Sequence, residues 1–85
     1  MRYIQTNQFK ESFAKLPQHI QQRAKKQLAL FFQDYRYPSL QTKKMEGHND
    51  LFEGRVTRGY RFIYRITGDV CYIIDIGTHD ILNRY

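Results

Sequence analysis

The chain has 85 residues, enough for one small domain spanning residues 1–85 but too few to enclose a deep substrate cavity. Its composition is 41% hydrophobic and 15% aromatic, which excludes wholesale disorder. Fourteen Lys and Arg against eight Asp and Glu give a net charge of +6, and such an excess favours a polyanionic partner, of which nucleic acid is the commonest inside cells.

Several functional classes are disfavoured by what the sequence lacks. No run of 18 apolar residues is present, so neither a membrane span nor a membrane partner is expected. The segment Met1-Arg-Tyr-Ile-Gln has no apolar signal region, and the single Cys71 fits a structural thiol in the reducing cytoplasm. The three histidines, His19, His48 and His79, lack metal-ligand spacing, so neither a metal nor another cofactor is predicted.

The N-terminal half predicts a short strand and two helices. Residues 2–6 alternate like a strand, and Thr6 or Asn7 can then cap a helix along which apolar residues recur at helical spacing. Pro17 ends this helix and suits the first turn of a second one, which runs to about Tyr35. The apolar stripe of the second helix consists of Ile20, Ala24, Leu28, Phe31, Phe32 and Tyr35. Its basic face is either an ordinary solvated face or part of a nucleic-acid footprint.

Periodicity disappears between Arg36 and Asp50, where Pro, Ser, Gly and Asn residues indicate a loop. This loop carries Lys43 and Lys44. Two interpretations remain open, because a loop of this length either contributes to function or simply connects the helices to the sheet.

The C-terminal half predicts three strands. Residues 51–57 place Phe52 and Val56 on one face and Glu53 and Arg55 on the other. In the next strand Tyr60, Phe62, Tyr64 and Ile66 share one face, and Arg61, Ile63 and Arg65 share the other. Thr67-Gly68-Asp69 predicts a hairpin turn. In the third strand Val70, Tyr72, Ile74 and Ile76 alternate with Cys71, Ile73, Asp75 and Gly77. Ile81, Leu82 and Tyr85 predict a stub of helix or a tail.

Together these elements predict an α+β fold, a small antiparallel sheet of three or four strands with two N-terminal helices packed on one face. The opposite face, with Arg55, Arg61 and Arg65, is then expected to be concave and open to a ligand. Guanidinium groups bind phosphate through a rigid fork of donors that keeps its charge, so this face predicts a phosphate site. The alternative is that the arginines form salt bridges with Glu53 and Asp75.

His79 lies just beyond the third strand, beside the arginine face. Because an imidazole gains and loses a proton near neutral pH, His79 is a candidate general acid or base for phosphodiester cleavage, with the arginines stabilising a pentacoordinate phosphate. A purely structural role for this histidine is the alternative.

Specific motifs in this half resemble the toxins of the RelE/ParE superfamily of type II toxin–antitoxin systems. They are Lys44-Met-Glu-Gly47, the run from Arg55 to Arg65 with Gly-Tyr-Arg-Phe-Ile-Tyr-Arg, Ile-Asp-Ile-Gly-Thr-His79, and Tyr85. The Phe-x-x-x-Phe-x-x-Leu-Pro pattern at residues 9–17 extends the likeness over nearly the whole chain. The Gly-Thr-His form is closest to the YafQ-like branch, and the implied fold is RelE-like, similar to microbial RNases.

The resemblance assigns roles to individual residues. Arg61 matches the arginine at the scissile phosphate, Arg55 a basic residue of the preceding strand, and His79 the catalytic position after the last strand. Tyr85 matches a tyrosine that stacks on a nucleotide. Glu53 stands where RelE has a lysine, and either activates the 2′-hydroxyl or pairs with Arg55. Asp80 either orients His79 or caps a helix.

The implied activity is ribosome-dependent, metal-independent mRNA cleavage at the A site, with a gyrase-inhibiting, ParE-like binder or a plain RNA-binding module as alternatives. Lys43, Lys44, Arg58 and Arg65 would contact mRNA or rRNA backbone. The implied partners are the ribosome, its RNA and a cognate antitoxin. Operator DNA would be bound only through that antitoxin.

Overall fold

The computed structural model describes residues 1–85 and contains five strands and two α-helices. The strands are β1 (Arg2–Gln5), β2 (Lys43–Lys44), β3 (Leu51–Thr57), β4 (Tyr60–Thr67) and β5 (Val70–Thr78). The helices are α1 (Asn7–Ala14) and α2 (Gln18–Gln33). Two 3₁₀ helices complete the chain, one at Pro38–Leu40 and one at His79–Arg84, called here the final 3₁₀ helix. None of the helices is long and apolar enough to cross a membrane.

The strands form one mixed sheet in the order β1-β5-β4-β3-β2. The pairs β2–β3, β3–β4 and β4–β5 are antiparallel, as predicted, but β1 pairs with β5 in parallel. The α+β class is confirmed, whereas the predicted three or four antiparallel strands become five in a mixed sheet. The additional edge strand is Lys43–Lys44, a segment too short for alternation to reveal from sequence.

The two helices begin where local chemistry predicts, whereas α2 ends at Gln33, before the predicted end near Tyr35. The Thr6 hydroxyl accepts the Phe9 N–H at 3.1 Å and so caps α1. Pro17 precedes α2, and the Gln21 side-chain amide donates to the Phe13 carbonyl at 3.0 Å, satisfying an acceptor at the end of α1. Both helices are thereby fixed across the Leu16–Pro17 junction.

The main core lies between the helices and one face of the sheet. Its buried members include Phe31 from α2 and Val56, Phe62 and Tyr64 from the strands, which confirms the predicted helix-facing side. The Phe31 ring meets those of Phe62 and Tyr64 edge-on, with centroids 5.1 and 4.8 Å apart. Cys71 is fully buried here, and burial raises the pKa of its thiol to about 11, which fits a structural cysteine.

A β-bulge at Ile74 breaks the predicted alternation of β5. Tyr64 pairs with Ile73 but Ile63 pairs with Asp75, so Ile74 is an extra residue on its strand. Ile73 and Ile76 therefore both join the main core, whereas the sequence had placed them on opposite faces. The bulge also turns Asp75 away from the main core, to the face that carries Ile63.

That second face is not fully open, which corrects the prediction. Met45, Leu51, Ile63 and Ile81 form a small buried cluster on it, with Tyr85 packed alongside. The final 3₁₀ helix can approach this closely because Gly77 has no side chain: an ideal Cβ there would lie 2.5 Å from Ile81 Cγ2. The cluster lies between the two arginines of β4, with Arg61 on one side of it and Arg65 on the other.

Candidate nucleic-acid interface

A row of residues crosses three strands next to the β3–β4 turn. Arg55 of β3 pairs with Arg61 of β4, and Arg61 pairs with Gly77 of β5. Facing residues of an antiparallel pair have Cα atoms about 4.5–5.5 Å apart, so the two arginines are immediate neighbours. His79 follows two residues after Gly77 and begins the final 3₁₀ helix. Three predicted catalytic residues are thus brought to one end of the sheet.

Arg61 is held mainly by the turn that precedes it. Its Nη1 donates to the carbonyls of Thr57 at 2.6 Å, Arg58 at 3.0 Å and Tyr60 at 3.0 Å. Its Nε lies 3.6 Å from Glu53 Oε1, and the two side chains are only 17% and 9% exposed. The salt-bridge alternative therefore holds for Arg61 and Glu53. Nη2 makes no hydrogen bond within the chain, so its two N–H donors remain for a ligand.

Glu53 pairs with Arg61 rather than with Arg55, which makes a different contact. The Arg55 Nη1 donates to Gln41 Oε1 at 3.0 Å, and its guanidinium forms no ion pair with a carboxylate. The residue is half-buried at the edge of the sheet, where β2 no longer covers β3. Its charge is therefore uncompensated next to the Arg61–Glu53 pair.

His79 is tied to the same turn as Arg61. Its backbone N–H donates to the Gly59 carbonyl at 2.8 Å, while its side chain is exposed. The four carbonyls of residues 57–60 thus accept hydrogen bonds from Arg61 and His79. Asp80 performs neither predicted role: no hydrogen bond joins it to His79, and the residue at the cap position is Thr78. Asp80 instead places an acidic group in the first turn of the helix.

Tyr85 lies apart from this row, over the second face of the sheet. Its hydroxyl donates to Asp75 Oδ2 at 2.6 Å, and the completely buried Asp75 also accepts its own neighbour's N–H, that of Ile76, at 2.8 Å. Burial, with the hydrogen bond to Asp75, raises the pKa of Tyr85 to about 12.

The four residues predicted to contact RNA backbone are all exposed but do not form one patch. Arg58 lies in the β3–β4 turn, next to the row. Lys43 and Lys44 form β2 at the sheet edge, where the backbone of Lys43 lies opposite that of Glu53 in the strand ladder. Arg65 lies beyond the apolar cluster, with its Nε 3.0 Å from Asp50 Oδ2. Arg65 is therefore separate from Arg55 and Arg61, contrary to the prediction of one continuous arginine face.

Two residues join this interface from the helical half: Arg23 belongs to the basic face of α2, predicted either as a solvated face or as part of a nucleic-acid footprint, and His19 was missed by sequence reasoning. His19 and Arg23, one turn apart on α2, line a surface cleft of about 580 Å³ together with Arg55 and Arg58. Their shared helix face was visible in the sequence, but its alignment with β3 was not. No group of three or more His, Cys, Asp or Glu residues lies close enough together to hold a metal ion.

A family model described as a ParE-like toxin domain matches residues 18–84. No curated protein matches the chain. Among solved structures, YafQ from E. coli strain BL21(DE3) superimposes with a TM-score of 0.76 at 17% identity, covering 96% of this chain and 98% of that one.

Two further structures show the same fold. The RelB-RelE antitoxin–toxin complex from Methanococcus jannaschii matches with a TM-score of 0.77 at 18% identity, covering 96% of both chains. A YoeB/ParE toxin from Agrobacterium tumefaciens matches with a TM-score of 0.75 at 14% identity, covering 93% of this chain and 99% of that one. The predicted RelE-like, YafQ-like fold is thereby confirmed.

Proposed function

We propose that this chain, which belongs to the ParE-like toxin domain family, is the toxin of a type II toxin–antitoxin system that inhibits translation by cleaving mRNA in the ribosomal A site. The observation that carries the proposal is the shared anchoring of Arg61 and His79 on one turn. Three of four successive backbone carbonyls hold the Arg61 guanidinium and the fourth holds the His79 backbone N–H, so this turn places the backbone of His79 beside Arg61 and its neighbour Arg55. Such a set supplies phosphate binding and proton transfer together.

The reaction uses the RNA's own 2′-hydroxyl as nucleophile. Glu53 accepts the proton of this hydroxyl, whose oxygen attacks the adjacent phosphorus and forms a pentacoordinate phosphorane. The bond from phosphorus to the 5′-oxygen then breaks, and His79 donates a proton to that oxygen. The products carry a 2′,3′-cyclic phosphate and a 5′-hydroxyl. No metal-bound water is needed, because the nucleophile belongs to the substrate.

Arg61 and Arg55 stabilise the charge that develops on the phosphorane. Arg61 offers the free Nη2 donors, while its Nη1, held by three backbone carbonyls, keeps the guanidinium in place, which is the preorganisation that such stabilisation requires. Arg55 adds a second positive charge, which no carboxylate of the chain neutralises. A phosphate bound at Arg61 also competes for the ion pair with Glu53, and this frees the Glu53 carboxylate to act as the base.

The remaining predicted residues serve substrate and ribosome binding. Arg58 and the edge strand Lys43–Lys44 contact mRNA or rRNA backbone. Arg65 joins them when its ion pair with Asp50 breaks and its guanidinium binds a phosphate instead. Tyr85 stacks on a base through the face of its ring. This activity places the protein in the cytoplasm, where the ribosomes are.

A cognate antitoxin protein completes the system. The similar structures include complexes of toxins with RelB or DinJ antitoxins. The net charge of +6 calls for an acidic partner that covers the basic interface, and operator DNA is bound only through that partner.

Induced expression in cells tests the proposal. Wild-type protein should stop growth and leave mRNA cut within coding sequence, whereas His79→Gln should slow cleavage about 100-fold, the order of magnitude that general acid catalysis contributes. His79 is exposed and its structural contact is a backbone N–H, so the substitution should preserve the fold. Lys26→Gln, an exposed change on α2, is the control. Equal toxicity of the two variants would remove His79 from the mechanism.

A second candidate function is a gyrase inhibitor that acts by binding alone. It is favoured by the family match itself, whose description names ParE rather than an RNase. In that case His79→Gln stays fully toxic, mRNA stays intact, and plasmid DNA from induced cells is linearised.

A further inference from the structure

The cleft beside Arg55 is assembled from three parts of the chain. His19 and Arg23 come from α2, Gln41 from the segment after the first 3₁₀ helix, and Arg55 and Arg58 from the end of β3 and its turn. Only two of the ten lining residues are apolar, so the cleft suits a polar ligand rather than an apolar side chain or helix.

The cleft carries positive charge without compensation. It is lined by three arginines and a histidine, and no Asp or Glu is among the lining residues. None of Arg23, Arg55 and Arg58 takes part in an ion pair within the chain. Like charges gathered at one site repel each other, and a bound anion removes that repulsion.

The floor of the cleft is fixed by buried hydrogen bonds. Gln27 is 5% exposed, and its amide donates to the carbonyls of Arg55 at 2.9 Å and Ser39 at 3.2 Å. The Gln41 side chain holds one nitrogen of Arg55 at 3.0 Å. These contacts hold α2, the segment around Ser39 and Gln41, and β3 together, so the cleft is formed before a ligand binds. The free-energy cost of ordering the cleft on binding is therefore small.

We propose that this cleft binds a backbone phosphate of the substrate mRNA strand, one nucleotide or more away from the phosphate that is cut. The proposal rests on the proposed function and extends it to His19 and Arg23. Arg55 borders the cleft and faces Arg61 across the strand pair, so a strand whose scissile phosphate lies at Arg61 continues past Arg55 into the cleft. The cleft is therefore a substrate-binding site outside the reacting phosphate: it adds affinity for the strand without touching the reacting atoms.

Binding of a non-cleavable RNA tests the site separately from catalysis. The probe is a fluorescein-labelled, single-stranded 2′-O-methyl oligoribonucleotide, and the readout is anisotropy at several salt concentrations. Arg23→Gln/Arg58→Gln should weaken binding about tenfold and make the salt dependence shallower by about 0.7, the value for one single-strand phosphate contact. Lys25→Gln/Lys26→Gln removes the same charge from α2 outside the cleft and should change affinity less than about twofold.

Equal weakening by the two double variants would overturn the proposal, because it would mean general attraction of a basic protein to RNA. A variant that retains the charges, Arg23→Lys/Arg58→Lys, should recover most of the affinity, and circular dichroism of Arg23→Gln/Arg58→Gln checks that this variant is folded. On NMR titration with the oligonucleotide, the His19 ring signals should shift. RNA binding that leaves the His19 signals unmoved would also refute the site.

A hairpin duplex of the same length distinguishes mRNA from structured rRNA as the source of the phosphate. Tighter binding of the single strand supports the proposal, and tighter binding of the duplex contradicts it. On programmed ribosomes the Arg23→Gln/Arg58→Gln variant should raise KM with little change in kcat, whereas a merely structural defect would lower kcat as well. If no mRNA is cut by wild-type protein, the proposed function fails, while the binding data still decide the cleft.

Discussion

Replacing Tyr85 by phenylalanine removes one oxygen, whose hydrogen bond closes the final 3₁₀ helix over the sheet. The hydroxyl lies 2.6 Å from Oδ2 of Asp75, a fully buried carboxylate whose other contact is the Ile76 N–H. Loss of a hydrogen bond to a charged group costs about 1.5–3 kcal/mol. Because the phenyl ring keeps its packing against the Met45, Leu51, Ile63 and Ile81 cluster, nearly all of the expected loss comes from the carboxylate left without its partner.

Urea unfolding followed by circular dichroism measures this loss. With a slope near 1 kcal/mol per molar urea for a chain of this size, the midpoint of Tyr85→Phe should fall by about 2 M. Tyr37→Phe is the matched control, because the Tyr37 hydroxyl makes only a long 3.4 Å contact with an exposed glutamine; its midpoint should move by less than about 0.5 M. If the two variants lose stability equally, the bond to Asp75 does not hold the final helix.

Three further outcomes follow from the same geometry. Gly77→Ala should destabilise the protein by about 1–3 kcal/mol, because the new methyl group collides with Ile81, whereas Gly59→Ala, with open space around it, should stay close to wild type in the same unfolding assay. On alkaline titration of tyrosinate absorbance, Tyr85→Phe should lose a group that titrates near pH 12. The Tyr85 hydroxyl has a pKa of about 12 in the folded protein and about 10 in the unfolded chain. Between these values the unfolded chain loses the proton more readily, so the free energy of unfolding should fall as pH rises from 10 to 12. A rise in the free energy of unfolding over that range would contradict this expectation. Arg61→Lys keeps the positive charge but loses the guanidinium, which binds the turn carbonyls through one nitrogen and a phosphate through another. mRNA cleavage on ribosomes should therefore fall about 100-fold. Cleavage at the wild-type rate would refute the role of the Arg61 guanidinium in catalysis.

Much of the fold could be predicted because its local signals agree with its global packing. Thr6 and Pro17 fix the helix boundaries, and the period-two patterns of residues 51–57 and 60–66 place Phe62 and Tyr64 under the helices. Gly68, with φ of +59°, forms the predicted hairpin turn.

The missed features depend on contacts between distant segments. The bulge at Ile74 cannot be deduced from alternation, because both faces of β5 are apolar there. The strand Arg2–Gln5 was predicted, but its parallel pairing with β5 was not, because the strand is only four residues long and its partner is at the far end of the sequence. The second apolar cluster needed knowledge that Ile81 returns to Gly77.

The sequence predicted the candidate-site residues on and next to the strands, but not the contacts and helix residues around them. The residue types at positions 55, 61 and 79 indicated phosphate chemistry, and the structure brings them to one turn. The Arg61–Glu53 ion pair was foreseen only as the alternative. His19 and Arg23 could not be assigned, because the sequence shows which face of α2 they share but not that the face adjoins Arg55.

The most direct test of the central claim is primer extension on purified ribosomes carrying a defined mRNA with a known A-site codon. Wild-type protein should cut within that codon only when ribosomes are present, and mass spectrometry of the upstream fragment should show a 2′,3′-cyclic phosphate. Intact mRNA after incubation with folded, toxic protein would contradict the account, and linearised DNA in a parallel gyrase reaction would assign the toxicity to the alternative target.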